Sequence, residues 1–140
     1  MISTRGRYAL RVMLDLAEQD SDKYIPLEEI ANRQEISKKY LEIILKVLVD
    51  NKLLRGMRGK GGGYKLTKPP EDYNVGEILE LTERNFSMVS CPVCIGQSCP
   101  RQDECKTLSL WTEFNRVTRE FFYGKKLTDL LGNFSHDDSQ

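Results

Sequence analysis

Apolar positions recur at helical spacing over residues 5 to 19, where Ala9, Val12, Met13, Leu16 and Ala17 make one stripe and Leu10 and Leu14 a second flank. This predicts a helix buried on more than one side. The polar run EQDSDK ends it, and Pro26 introduces a short helix whose inward face is Leu27, Ile30 and Ala31. After a break at NRQEI, Ser37 is placed to cap a third helix, in which Leu41, Ile44, Leu45 and Leu48 follow the i, i+3, i+4, i+7 rule. Its other face carries Lys38, Lys39, Glu42, Ile43 and Lys46. Two helices joined by a short turn, the second with a polar and basic N-terminal face, have the pattern of a helix-turn-helix. Periodicity alone also allows a plain helical hairpin.

The next segment favours the first reading. KLLRGMRGKGGGYKLTK reads as a strand, a turn of up to five residues with four glycines, and a returning strand in which Tyr64 and Leu66 alternate. Gly59, Gly61, Gly62 and Gly63 allow positive φ and close backbone approach, and Arg58 and Lys60 sit at the tip. A basic hairpin after a helix-turn-helix is a wing. The glycines match neither phosphate-loop pattern, and they lead into a strand where such a loop needs a helix N-terminus.

PPEDY punctuates the chain, and Val75, Ile78 and Leu79, with Leu81 nearby, predict a short helix. Leu108, Trp111, Val117 and Phe121, with Leu110, Phe114 and Phe122 beside them, predict a long helix ending at Gly124. That is more apolar surface than a small domain covers, so a second copy of the chain is the expected cover. The expected fold is mostly α with a small β-hairpin: a winged helix-turn-helix followed by a long C-terminal dimerisation helix. Residues 1–73 form the DNA-binding unit. Residues 74–140 hold a cysteine loop (88–105), the dimerisation helix (about 106–124) and a tail.

Charge sharpens this division. The 140 residues balance to zero, yet residues 1 to 68 carry fourteen Lys+Arg against nine Asp+Glu, and residues 69 to 140 carry seven against twelve. A +5 half and a −5 half face different partners. Between Lys52 and Lys68 there are six basic residues and no acidic one, so double-stranded DNA is the partner expected for the first half. The longest apolar-rich run, Ile43 to Val49, is broken by Lys46, and no leader pattern opens the chain. A cytoplasmic protein that does not engage membranes is expected. The single histidine, His136, lies in the polar tail, and no nucleophile and base are set together, so an enzyme is not expected.

Candidate chemistry is confined to CPVCIGQSCPRQDEC, which places Cys91, Cys94, Cys99 and Cys105 within fifteen positions. In a reducing compartment such thiols are more often metal ligands or redox centres than structural cross-links. The spacing C-x2-C-x4-C-x5-C suits an iron-sulfur cluster, structural zinc, or metal-free thiols that sense by oxidation. A small iron-sulfur electron carrier would also use it, but would have no need of a basic glycine-rich wing.

In order along the chain, STRGRYALRVMLDLA, ISKKYLEIIL, RGKGGGYKL, VGEILE and LWTEFN resemble the Rrf2 family of bacterial winged-helix transcription regulators, over roughly Ile2 to Leu131. The resemblance implies a homodimeric repressor paired through its C-terminal helices, with recognition helices in successive major grooves and wings in the flanking minor grooves. It implies DNA contacts from Ser37, Lys38, Lys39, Tyr40, Glu42 and Ile43, and from Arg58, Lys60, Gly61 and Gly62. Arg58 would enter the minor groove, and Glu42 would read a cytosine amino group. Ile43 stands where cluster-binding relatives often carry glutamine.

The resemblance also implies a 2Fe-2S or 4Fe-4S cluster whose status, oxidation or nitrosylation is sensed. Cys94, Cys99 and Cys105 align with the family's cluster cysteines. Here the first gap is four residues instead of five, Leu108 replaces a histidine ligand, and Tyr8 offers no carboxylate. Cys91 is therefore the expected fourth ligand.

Overall fold

The computed structural model describes residues 1–19, 22–84 and 86–132, so His136 and the tail from residue 133 lie outside the described residues. Helix α1 (Thr4–Ala17) begins where the Ser3 hydroxyl accepts the Gly6 N–H at 3.3 Å, and stops at the acidic run that follows. Helix α2 (Leu27–Gln34) starts from extended Pro26, places Glu28 and Glu29 in its first turn, and ends at left-handed Glu35. Helix α3 (Lys38–Asp50) follows two residues later, which gives the short turn a helix-turn-helix requires.

Strands β1 (Leu54–Met57) and β2 (Gly63–Leu66) pair antiparallel, Leu54 facing Leu66 and Met57 facing Gly63. Ile25 adds a one-residue bridge on the far side of β2: its N–H donates to the Tyr64 carbonyl at 2.8 Å and its carbonyl accepts the Tyr64 N–H at 2.9 Å. The approach needs glycine next door. Gly63 has φ 146°, and a Cβ there would stand 2.2 Å from the Ile25 oxygen. The base of the hairpin is fixed again by fully buried Tyr73, whose hydroxyl donates to the Leu53 carbonyl at 2.7 Å and accepts the Thr67 N–H at 2.9 Å.

Helix α4 (Val75–Thr82) is capped by Asn74 and packs on α1 and α3. Residues 86–107 then form an irregular loop with single 3-10 turns at Val93–Ile95 and Gln102–Glu104, before α5 (Leu108–Tyr123) and the five-residue α6 (Leu127–Leu131). One apolar core unites Val12, Met13, Ile30, Leu41, Ile44, Leu45, Leu48, Leu54, Tyr73 and Ile78 with Leu127 of α6. Each such Leu or Ile contributes about 1.5–3 kcal/mol by leaving water. A polar staple adds to this where Asp15, 2% exposed, is held by Arg33 (3.0 and 2.9 Å) and Gln34 (2.9 Å), tying α1 to α2. Among the described residues no helix is long and apolar enough to cross a membrane.

Candidate nucleic-acid interface and cysteine loop

Ser37 caps α3 by accepting the Tyr40 N–H at 3.2 Å, and the positive end of that helix is left in solvent with Ser37, Lys38 and Lys39 exposed around it. The Leu41, Ile44, Leu45 and Leu48 stripe is fully buried, which turns Glu42, Ile43 and Lys46 outward. Ile43 stays 49% exposed although apolar. Tyr40 is only half-buried: its ring meets Tyr8 edge-on at 5.8 Å, and the Arg11 guanidinium lies 4.8 Å from the Tyr8 ring centroid. Lys38 pairs with Glu28 at 3.5 Å and Lys46 with Asp50 at 3.1 Å, so part of the basic face is neutralised locally. Exposed pairs of this kind are worth about 0.2–1 kcal/mol, little enough for a phosphate to replace the acid.

The wing keeps its charge free. Arg58, Lys60 and Gly61 are exposed, Gly62 is half-buried, and Gly59 and Gly61 take positive φ to make the turn. Among the described residues the side chains of Lys39, Glu42, Arg55, Arg58 and Lys60 form no hydrogen bond or ion pair. Helix and hairpin border one concavity of about 550 Å³, with Glu42 and Lys46 on one wall, Met57 and Arg58 on the other, and Tyr64 between. One expected contact residue of each element, Glu42 and Arg58, thus borders the same concavity.

All four cysteines are half-buried and none is in a disulfide. Cys91 lies just before the first 3-10 turn and Cys94 within it. The Cys91 thiol is held below its usual range, chiefly by the Cys94 backbone N–H, while burial and the Cys91 sulfur push Cys94 up. Cys105 is also held down, first by the Thr107 hydroxyl 3.4 Å away, then by the Thr107 N–H. Among the described residues no three Cys, His, Asp or Glu side chains converge tightly enough to share a metal ion. As a donor set the residues fit a thiolate-bound centre: four soft sulfurs, the Cys91 and Cys105 thiols held below their usual range, on short turns with no buried apolar side chain to resist rearrangement.

Helix α5 turns Leu110, Phe114, Val117 and Phe121 to solvent, 44–57% exposed, at the alternating four- and three-residue spacing of a helix-pairing seam. Its other side is locked to α4, where Arg119 donates to Glu80 at 3.1 and 3.3 Å and the Tyr123 hydroxyl donates to the same carboxylate. Those bonds hold Glu80 below the usual carboxylate range, the Tyr123 contribution being the largest.

The first turn of α1 also belongs to this surface. Ser3, Thr4 and Arg5 border a shallow concavity with Tyr40 and Ile43 of α3. The string STRGR carried the signal for it, a cap residue beside two arginines.

A capped recognition helix and a basic, unpartnered hairpin, both anchored on one core, define a winged helix-turn-helix DNA-binding protein. The profile of the Rrf2 family, described as iron-dependent transcriptional regulators, matches residues 2–133, and the chain belongs to that family. It is 33% identical over 132 residues to the HTH-type transcriptional regulator IscR of Pectobacterium atrosepticum, covering 94% of this chain and 79% of that one. Among solved structures, T. potens IscR aligns with TM-score 0.75 and 30% identity, over 95% of this chain and 87% of the other. CymR, the global cysteine regulator of B. subtilis, aligns with TM-score 0.74 and 29% identity, over 95% and 97%. The chain is thus a transcription regulator, as its sequence implied, and its relatives are regulators and not enzymes.

Proposed function

We propose that the chain is a homodimeric repressor whose grip on operator DNA is governed by an iron-sulfur cluster held by Cys91, Cys94, Cys99 and Cys105. The observation that carries the DNA half of this reading is the single concavity bordered by Glu42 of α3 and unpaired Arg58 of the wing. Helix α3 reads base edges in the major groove while Arg58 and Lys60 reach phosphates and the minor groove. The apolar seam of α5 pairs with its copy and presents two such surfaces. Labour is divided accordingly, residues 1–73 binding DNA and residues 74–140 sensing and pairing.

The cluster half rests on the four-thiol donor set and on the iron-dependent description of the family. When bound, such a cluster supplies a cross-link between the two turns of the loop and a chemistry that oxidation or nitric oxide removes. The chain's own part is to ease loss of the Cys91 and Cys105 protons through nearby backbone N–H and hydroxyl donors, and to hold the loop against α5.

A second reading has its own observation. The Cys91 and Cys94 thiols, two residues apart in the loop and each shifting the other, Cys91 downward and Cys94 upward, could act without metal as an oxidation switch.

Protein purified without oxygen decides between them: iron and sulfide with visible charge-transfer absorption support the cluster, zinc alone or bare thiols overturn it. Ser substitution of Cys94, Cys99 or Cys105 should each abolish the cluster, and Cys91→Ser tests the fourth ligand. Duplex binding that weakens by orders of magnitude over a few-fold rise in salt supports the DNA half, and salt-insensitive or absent binding removes it.

A further inference from the structure

Glu83 is a carboxylate that the reading above leaves unused. It lies at the C-terminal end of α4, 9% exposed, eight residues before the first cysteine. Its two oxygens accept the Ser3 N–H and the Ser3 hydroxyl, each at 2.6 Å. A charged group is costly to bury unless its lone pairs are used, and here both oxygens are bonded to a single residue. The approach is close enough to exclude a side chain at Gly6, where a Cβ would stand 2.7 Å from the carboxylate.

Each end of this contact leads to a different working part. Ser3 opens α1, and Ser3, Thr4 and Arg5 face Tyr40 and Ile43 on the recognition helix. Arg5 Nε is buried there without a hydrogen-bond partner, and no backbone bond is made by the Thr4 and Arg5 N–H groups among the described residues. On the other side the chain runs from Glu83 to Ser87, which buried Asn115 of α5 anchors: its amide donates to the Ser87 hydroxyl at 2.9 Å and its oxygen accepts the Met88 N–H at 3.0 Å. Ser87 also donates to the Val89 carbonyl at 2.7 Å, two residues before Cys91. Polar contacts thus tie the start of α1 to the end of α4 through Ser3 and Glu83, and to the root of the cysteine loop through the Met1 amino group, which donates to the Ser87 carbonyl.

We propose that the Ser3–Glu83 contact is a latch that couples the operator-reading surface to the cysteine loop, with Glu83 and Ser3 as positioning residues for DNA recognition. The proposal rests on the reading of α3 and the wing as the operator surface, and not on which centre the thiols hold. With the latch closed, the first turn of α1 is held beside Tyr40 and Ile43, ready to offer its free N–H groups and Arg5 to a phosphate. Rearrangement of the loop pulls on Ser87 and Glu83 and withdraws that turn. Coupling of this kind is reciprocal, so operator binding must in turn stabilise one arrangement of the loop.

Reciprocity allows a test on metal-free protein. Iodoacetamide modification of the four cysteines is followed with and without a duplex that the protein has selected from a random-sequence pool. Where reclosing outpaces modification, the rate reports the opening equilibrium of the loop. In the wild type the duplex should change the modification rate of Cys91 and Cys94 by about fivefold or more, the lower range of ordinary coupling. Glu83→Gln and, independently, Ser3→Ala should bind the duplex more weakly, and at saturating duplex their rates should be the same with and without it. Bound duplex with no change of rate in the wild type overturns the latch alone, as does an undiminished response in both variants. Failure to select or bind any duplex overturns the operator reading, and the latch with it.

Discussion

The reading half of the molecule and the cysteine loop are built on opposite principles. From α1 to the hairpin nearly every apolar side chain that faces inward is fully buried, whereas in residues 86–107 the only buried side chain is the polar Ser87. The first region is ordered by loss of water from hydrocarbon. The second has hydrogen bonds and short turns and little else, which is what a segment that must change its arrangement on gaining or losing a ligand needs. Rigidity sits in the helix-turn-helix half, and compliance in the cysteine loop.

The largest expected effect that would break this contrast concerns the core. Leu45→Ala should cost about 2–5 kcal/mol in denaturant unfolding, and Val93→Ala in the loop under about 0.5 kcal/mol. Comparable losses would mean that the loop carries stability after all. Next comes the α1–α2 staple. Arg33→Ala leaves Asp15 buried with only Gln34, and should cost about 2 kcal/mol, less than a fully buried pair because Arg33 is 36% exposed. On the DNA side, Arg58→Ala should weaken operator affinity by about tenfold, roughly 1.4 kcal/mol, at unchanged unfolding midpoint; unchanged affinity removes the wing from the interface. Ser37→Ala should cost about 1 kcal/mol by loss of the α3 cap, seen in thermal unfolding.

The smallest effect concerns pH. Glu80 has a folded pKa below its unfolded value of about 4.3, so its contribution is complete above that pH and fades as pH falls through the lower folded value. Because Glu80 is 41% exposed, Glu80→Gln should flatten the acid limb of the stability curve by only a few tenths of a kcal/mol.

The parts legible in the sequence are those with local periodicity. Ser37 and the leucine stripe announced α3, the glycines announced the turn at residues 58–62, and the excess of aromatic residues announced α5 with its uncovered face. The expected first helix ran to residue 19, two residues past the observed end, because an acidic run fixes a helix terminus only loosely. What could not be read locally were contacts closed over long stretches of chain. Ile25 joins the hairpin through a one-residue bridge, Ser3 meets Glu83 across eighty positions, and Leu127 enters a core made mostly by the first half. None leaves a repeating pattern. For the loop, sequence supplied the ligand types, but not the 3-10 turns at Val93–Ile95 and Gln102–Glu104, which the cysteine spacing alone does not specify.

Leu127 also bears on how such chains can diverge. It is fully buried in the common core, on a helix that packs against α1 and the Pro70–Asp72 turn, and the Leu127 N–H is bonded to the Tyr73 carbonyl at 3.0 Å. The second half of the polypeptide thus lends a plug to the first. A recombinant that exchanged everything after the hairpin for another sensor would open a hole beneath the helix-turn-helix unless the newcomer brought its own stopper. New signals should therefore be acquired by rewriting the segment between α4 and α5, while the ends of the sequence are inherited together.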